Sequence, residues 1–571
     1  MERFIYAFLI FLFTSQFSVA QNHIEASMLS PLITQYQADE TLLTRKYQLK
    51  RADEYFTRME RFYKEWAEKL KTVPFTKLTV NERVDYILLK RDINSDSKVL
   101  QKEKIEFKSN NFILPFAQAI VVFEQKRRVG KQPDGELVAQ DFEKLKDDIK
   151  VTTKAISSPK LAVSIIQAKW AEETVNQYLN VFTEAYKFYD GYDPKFTKAT
   201  KNVYLEVVEA LKDYGLELGR MAKLPAIKDD GSGIVGNPIG RTSFLDLLKD
   251  EMIAYTPEQI EQIALREFAW CDAEMLKAAN EMGFGGDWKR ALEKVKTAYP
   301  ELGKQPELVY ELANEAINFV EQNKLISIPE MAKEGWRMQM LSPQEQQYAP
   351  FFLGGESVLI AYPTSDMSDE AKMMTLRGNN RHFSRAVVFH ELIPGHNLQY
   401  YMQNRYKPYR RAFGTPFWTE GWSLYWEMLL WDKNFAKTPE DKIGMLFWRM
   451  HRCARIIFSM NYHLGKWTPQ QCIDFLVERV GFEKANAAAE VRRSFTGGYG
   501  PLYQIGYMLG GLEFRALHKE LVASGKMTNL QFHDRILKEN NMPVEMIRAI
   551  LTKQVLPENF STRWKFAGAL N

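Results

Sequence analysis

Cysteine is scarce: Cys271, Cys453 and Cys472 are the only three in 571 residues. That excludes a disulfide framework and a cysteine-rich metal site, leaves room for at most one disulfide, and predicts buried thiols. Long apolar runs are also missing, since nothing after the first twenty residues approaches eighteen consecutive apolar positions. No stable membrane insertion is expected. Charge excess is absent too: 76 Lys and Arg stand against 72 Asp and Glu, which gives no reason to expect nucleic acid as a partner. The short basic run Lys126-Arg127-Arg128, beside Gly130 and Pro133, reads as a solvated turn. No internal repeat or low-complexity linker marks separable domains. What is present, 45% hydrophobic and 13% aromatic residues, excludes disorder and suits a large globular chain.

The chain opens with Met1-Glu2-Arg3, an apolar run from Phe4 to Phe13 and the small residues Ser18-Val19-Ala20, the pattern of a secretory signal over 1–20. With no cysteine beside the cleavage point, a lipid anchor is not indicated. A periplasmic or secreted mature protein is expected. Helical periodicity then dominates: Val207, Leu211, Tyr214, Leu218 and Met221 alternate spacings of four and three, the stripe of an amphipathic helix. Helices are predicted over 53–71, 81–102, 137–155, 162–189, 257–282, 288–297 and 306–321. The glycine-rich stretch 228–240 is followed by no GK[ST] and preceded by no strand, so it reads as a connecting loop and a possible lobe boundary. The best strand is Ser357 to Tyr362, fenced by Gly354-Gly355 and Pro363. It could wall a cleft or be a buried ribbon.

The chemistry concentrates in VVFHELIPGHNLQYY, Val387 to Tyr401. His390-Glu391 with His396 resembles the zinc-peptidase helix, where two histidines one turn apart hold the metal and the glutamate works on a water. Yet residues six apart are displaced by roughly 120° on a regular helix, against about 40° for residues four apart. Pro394 has no N–H and clashes with the carbonyl of residue 390, so a break or bulge is expected there. Gly395 adds the backbone freedom that lets two residues loop out and bring His396 back to the face of His390. The alternative is a helix ending near Ile393 with no metal.

Beyond the motif, GTPFWTEGWSLYWEMLL predicts a helix with Thr415 as N-cap and Pro416 at its first position. Glu420 and Glu427, two turns apart, share a face, while Trp422, Tyr425, Trp426 and Leu429 form the packing side. Glu420 is the candidate third metal ligand, and Glu427 a candidate partner that orients a ligand from behind. The alternative for both is a solvated helix face. Upstream, Arg377, Arg381, His382 and Arg385 form a basic approach, able to grip a carboxylate or simply to line an outer face.

HELIPGH, TEGWSLYWE, NYHLGKW at 461–467 and PLYQIGYMLG at 501–510 together resemble the motifs of the bacterial domain of unknown function 885. That resemblance implies zinc metallopeptidases related in plan to the neurolysin and dipeptidyl-peptidase III types. The fold it implies is mainly α, with two lobes around a deep cleft and a small β element near the site. It also implies a tyrosine or histidine from a later helix that donates to the oxyanion, which directs attention to Tyr503 and His463, with Tyr499 and Tyr507 as substitutes. His451, His518 and His533 are expected to be structural. The chain departs from the family pattern at 459–462 and at Tyr499.

The expectation is a single catalytic domain over 21–571: an exported zinc peptidase in which His390, His396 and Glu420 hold Zn²⁺, Glu391 is the general base and a short peptide is the substrate. A peptide- or solute-binding protein on the same scaffold, and a metal-dependent amidase or esterase, stay as rivals.

Overall fold

Apolar stripes become helices where the periodicity predicts them, and capping residues set most of their starts. A computed structural model describes residues 27–158, 162–222, 230–346 and 354–570. The expected signal at 1–20 and the first two residues of the 228–240 loop lie outside these. Helices run over Asp53–Lys71, Val80–Asn110, Gly135–Ile156, Ile165–Tyr189 and Pro194–Ala222. Thr79 with Glu82, and Ser164 with Gln167, form reciprocal capping boxes that fix two of these starts. In the last helix Val207, Leu211, Tyr214 and Leu218 are buried, and Met221 packs at the margin. The helix predicted to end at 102 continues to Asn110, because Leu100 and Phe107, two turns apart, keep its inner face buried.

After the loop at 230–239, helices Gly240–Asp250, Pro257–Glu281, Trp288–Lys296 and Gln305–Gln322 lead to the only described sheet. Strand β1 (Arg337–Met340) pairs in parallel with β2 (Ser357–Ile360), Arg337 opposite Ser357 and Met340 opposite Ile360. The second strand is the predicted one. β1 escapes prediction because it is mostly exposed and its Arg and Gln break any apolar run. All three cysteines are free and buried. Among the described residues no helix is long and apolar enough to cross a membrane.

The helix Pro416–Asp432, here the carboxylate helix, starts as predicted: Thr415 Oγ1 accepts from Phe417 N, and Pro416 occupies the first position. It has no solvent side, however. Every residue from Phe417 to Leu430 except Thr419 is buried, so the expected division into a packing side and an open side is replaced by a helix at the centre of the core. Glycine makes this possible. A Cβ on Gly421 would lie 2.5 Å from the Cα of Gly510, and one on Gly510 would lie 2.0 Å from the carbonyl oxygen of Phe417. Backbone therefore packs on backbone between the carboxylate helix and the helix Tyr503–His518, here the tyrosine helix. That contact sets Tyr503 over Glu420.

Candidate metal centre

The first histidine rides on the helix Arg381–Glu391, capped by Asn380, whose Oδ1 accepts from the backbone of His382 and Phe383. The helix stops at Glu391 and a new one, His396–Gln403, begins at the second histidine. Of the expected break or bulge, the structure has the break: Pro394 cannot donate, its peptide bond with Ile393 is cis, and the connection closes by Gly395 N–H donating to Phe389 O at 3.1 Å. Gly395, at φ −80° and ψ −133°, lies in neither the β nor the α region, and a Cβ there would sit 1.9 Å from the carbonyl oxygen of His390. Close approach adds to the backbone freedom as a reason for glycine. Two bonds from the carboxylate helix fix the turn: Trp422 Nε1 donates to Pro394 O at 2.9 Å, and Ser423 Oγ to His390 O at 3.0 Å.

The break brings the two imidazoles together, centroids 4.9 Å apart and nearly perpendicular. Glu420 Oε2 lies 3.5 Å from His390 Nε2 and 3.2 Å from His396 Nε2. One donor atom from each of the three residues falls within 4.8 Å of the other two. His390, His396 and Glu420 are 1%, 6% and 4% exposed, so the predicted alternative of a solvated face does not apply to Glu420. The donor set fits zinc. Ligands about 2.0–2.1 Å from a tetrahedral ion stand about 3.4 Å apart, close to both carboxylate separations. Although burial opposes its charge, His396 is pushed up to about 9 by the Glu420 carboxylate. Burial raises Glu420, yet the two imidazoles hold its carboxyl well below the usual range.

The outer nitrogens of both imidazoles are engaged, which leaves each Nε2 for the shared point. His390 Nδ1 lies 2.7 Å from Glu427 Oε1, the partner predicted from its position two turns after Glu420. Arg452, on the helix Pro439–His463, reaches the same oxygen at 3.2 Å. Burial works against the charge of Glu427, but Arg452 and His390 together lower its pKa. His396 Nδ1 has Gln399 Oε1 at 2.9 Å and Ser423 Oγ at 3.3 Å. Sequence reading missed Gln399 and Arg452. Gln399 could have been found at the position one turn past His396; Arg452 carries no local signal. Glu427→Gln is expected to weaken metal binding about 10–100-fold by loosening the His390 ring, which competition with a chromophoric chelator would measure.

Glu391, 9% exposed, stands next to this cluster. The loop before β2 covers it, for a Cβ on Gly354 would lie 2.3 Å from its Oε2. Asn397 Nδ2 ties that loop down through Gly355 O at 3.1 Å and Glu356 O at 3.3 Å. Burial pushes the Glu391 carboxyl up, the two imidazoles pull it down, and Glu420 pushes it up again; the outcome is a raised pKa. Tyr503 donates its hydroxyl to Glu420 Oε1, the oxygen turned away from the histidines. Tyr507 stacks on His390 at 6.2 Å, and Tyr499 packs on Tyr503 at 4.3 Å.

His463 is not brought to the cluster. Its ring packs against Tyr462 and Phe495, and burial lowers its pKa to about 4. His451 pairs with Glu490, His518 with Asn529, and His533 with Leu325 O and Tyr425, all in structural roles. The basic approach is neutralised within the fold: Arg377 pairs with Glu293 and Glu483, Arg381 with Glu311, His382 with Asp441, and Arg385 with Asp441 and Glu315.

The family model described as "Bacterial protein of unknown function (DUF885)" matches residues 42–551. The fold is similar to that of a candidate lipoprotein of unknown function from Shewanella oneidensis, at 17% identity and a TM-score of 0.68, over 92% of this chain and 100% of that one. A candidate lipoprotein from Colwellia psychrerythraea is similar at 16% identity and a TM-score of 0.57, over 92% and 98% of the two chains. No curated protein matches. Both likenesses show a shared, mainly helical fold.

Proposed function

From the premise that the chain belongs to the DUF885 family, whose description carries no activity, we propose from its buried cluster that it is a zinc-dependent peptidase. One observation carries this reading: two imidazoles and a carboxylate converge in the core directly beside a second, raised carboxylate on the same helix as the first histidine. A structural ion pair has no use for Glu391 at that point.

His390, His396 and Glu420 would hold the ion, and zinc bound there would supply a Lewis acid that brings the pKa of a water toward about 7. The rest of the chemistry belongs to the chain. Glu391 takes the proton as the water adds to the scissile carbonyl and passes it to the leaving amine, and a raised carboxyl suits both transfers. Glu427 and Gln399 hold the rings so that each Nε2 faces the shared point. Tyr503, a donor at the rim of the cluster, stabilises the oxyanion. His463 has no part in this scheme. Export accords with the signal-like residues 1–20 and with the description of both solved relatives as candidate lipoproteins.

The test is turnover of a mixed library of short peptides, with ester and simple amide substrates alongside, by zinc-loaded protein. Peptide cleavage by wild type and none by His396→Ala is the expected result. Cleavage of esters or simple amides alone would move the activity to another hydrolase class, and tight peptide binding without any turnover would favour a binding protein.

A further inference from the structure

The arginines upstream of the first histidine are all paired, but a second group, reached through the tyrosines of the cluster, is not. Arg452 and Arg455 come from the helix Pro439–His463 and Arg493 from the helix Lys484–Thr496; they are 4%, 3% and 8% exposed. Two acids serve all three. Arg452 shares Glu427 with His390, and Arg455 Nε donates to Glu490 Oε1 at 2.7 Å. Arg493 is left with the poorest share, its Nε 3.5 Å from Glu490 Oε2 and not hydrogen-bonded to it. A guanidinium stays charged even when buried, so three positive charges face two carboxylates.

Their donors are unmatched as well. Arg452 Nε, Arg455 Nη1 and Arg493 Nε are enclosed with no hydrogen-bond partner among the described residues, a costly state for a charged group. The two terminal nitrogens of Arg493 also donate to none of the described residues, but they are not enclosed. This arginine, buried over nine-tenths of its surface, therefore turns its outer edge to open space. A carboxylate is the complement of that edge, since its two oxygens accept from two N–H groups side by side.

The guanidinium also lies close to the candidate metal site. It sits over the ring of Tyr499 at 5.1 Å, Tyr499 packs on Tyr503, and the Tyr503 hydroxyl donates to Glu420. Two rings thus separate it from a candidate ligand. Burial works against its charge, but Glu490 and the oxygens of Tyr507, Tyr499 and Tyr503 keep it firmly protonated, which puts all three hydroxyls within electrostatic reach. Arg455 adds its charge from over the ring of Tyr507 at 4.1 Å, and that ring stacks on His390.

We propose that Arg493, backed by the excess positive charge of Arg452 and Arg455, binds a carboxylate of the peptide substrate, either its C-terminal carboxylate or an Asp or Glu side chain. The assignment rests on the peptidase reading of the neighbouring cluster and adds its substrate class. A terminal carboxylate would make the protein a carboxypeptidase; a side chain would make it selective for acidic residues within a peptide.

The test separates binding from turnover. Glu391→Gln protein loaded with zinc is titrated with four peptides: a free or amidated C-terminus, each combined with glutamate or glutamine as the last residue. The same titrations are run on Glu391→Gln carrying Arg493→Gln. At least one anionic form is expected to bind about tenfold tighter than its neutral counterpart, and Arg493→Gln should erase the difference while the neutral peptides bind as before. Which pair differs tells terminus from side chain. Arg493→Lys, which restores the charge, should restore part of the preference and so exclude misfolding as the cause. Equal binding of anionic and neutral peptides, no binding at all, or no recovery in Arg493→Lys would overturn the assignment. So would a preference that survives Arg493→Gln, because the carboxylate would then be held elsewhere, the metal included. Wild-type cleavage of anionic and neutral peptides at equal rates would leave the peptidase standing and the Arg493 assignment refuted; Arg493-dependent binding with no cleavage would do the reverse.

Discussion

Glu391→Gln is expected to lower kcat by about 10²–10⁴-fold while the zinc content of the protein stays at the wild-type value. The side chain keeps its shape, so the glycine loop that covers it can stay in place, and the residue is not among the three whose donor atoms converge. What is lost is a group able to accept a proton and give it back. The raised carboxyl also marks this residue, because a carboxylate of low pKa would accept the proton of the water poorly. Steady-state rates and metal analysis on one preparation check both halves. A variant that retains wild-type kcat would assign proton transfer to another group.

Gly395→Ala is expected to abolish high-affinity metal binding while leaving most of the helical signal intact. The added methyl would overlap the His390 carbonyl at 1.9 Å, and no rigid-body adjustment of one turn relieves that. The turn can open only by breaking the bond from Gly395 N–H to Phe389 O and the grip of Trp422 and Ser423 on the connection. Either movement carries His396 away from Glu420. A stability loss on the order of 3 kcal/mol would accompany it, at the upper end for overpacking in a close-packed interior. Chelator competition and circular dichroism, measured together, separate loss of the site from loss of the fold. Wild-type zinc affinity in this variant would mean that the close approach is not what positions His396.

The residues of the candidate metal centre are legible in sequence because chemistry limits them: histidine and glutamate at such short spacing, in apolar surroundings, have few other uses. Pro394 also announces that the helix cannot continue. How it stops is not legible, since whether a proline yields a bulge or a break depends on what packs against the turn, here Trp422 and Ser423 from a helix about thirty positions on. Likewise the aromatic side of the carboxylate helix looked like one face, when glycines at 421 and 510 let a second helix bury the other. Arg452 illustrates the same limit: it reaches Glu427 from another helix, and nothing local to either residue records the other. The helices themselves were legible because a stripe of apolar side chains is a local property, and β1 was not because its side chains are mostly exposed.

Zinc stoichiometry and affinity of the purified wild-type chain beside His396→Ala, by native mass spectrometry and chelator competition, bear most directly on the proposed metal centre. One zinc per wild-type chain is expected, with affinity in His396→Ala lower by more than about a hundredfold, the loss already typical of partners one bond further out. A wild-type chain that binds no zinc, or a His396→Ala chain that binds it as tightly, would reduce the cluster to a buried ion-pair network and remove the basis for a metallopeptidase.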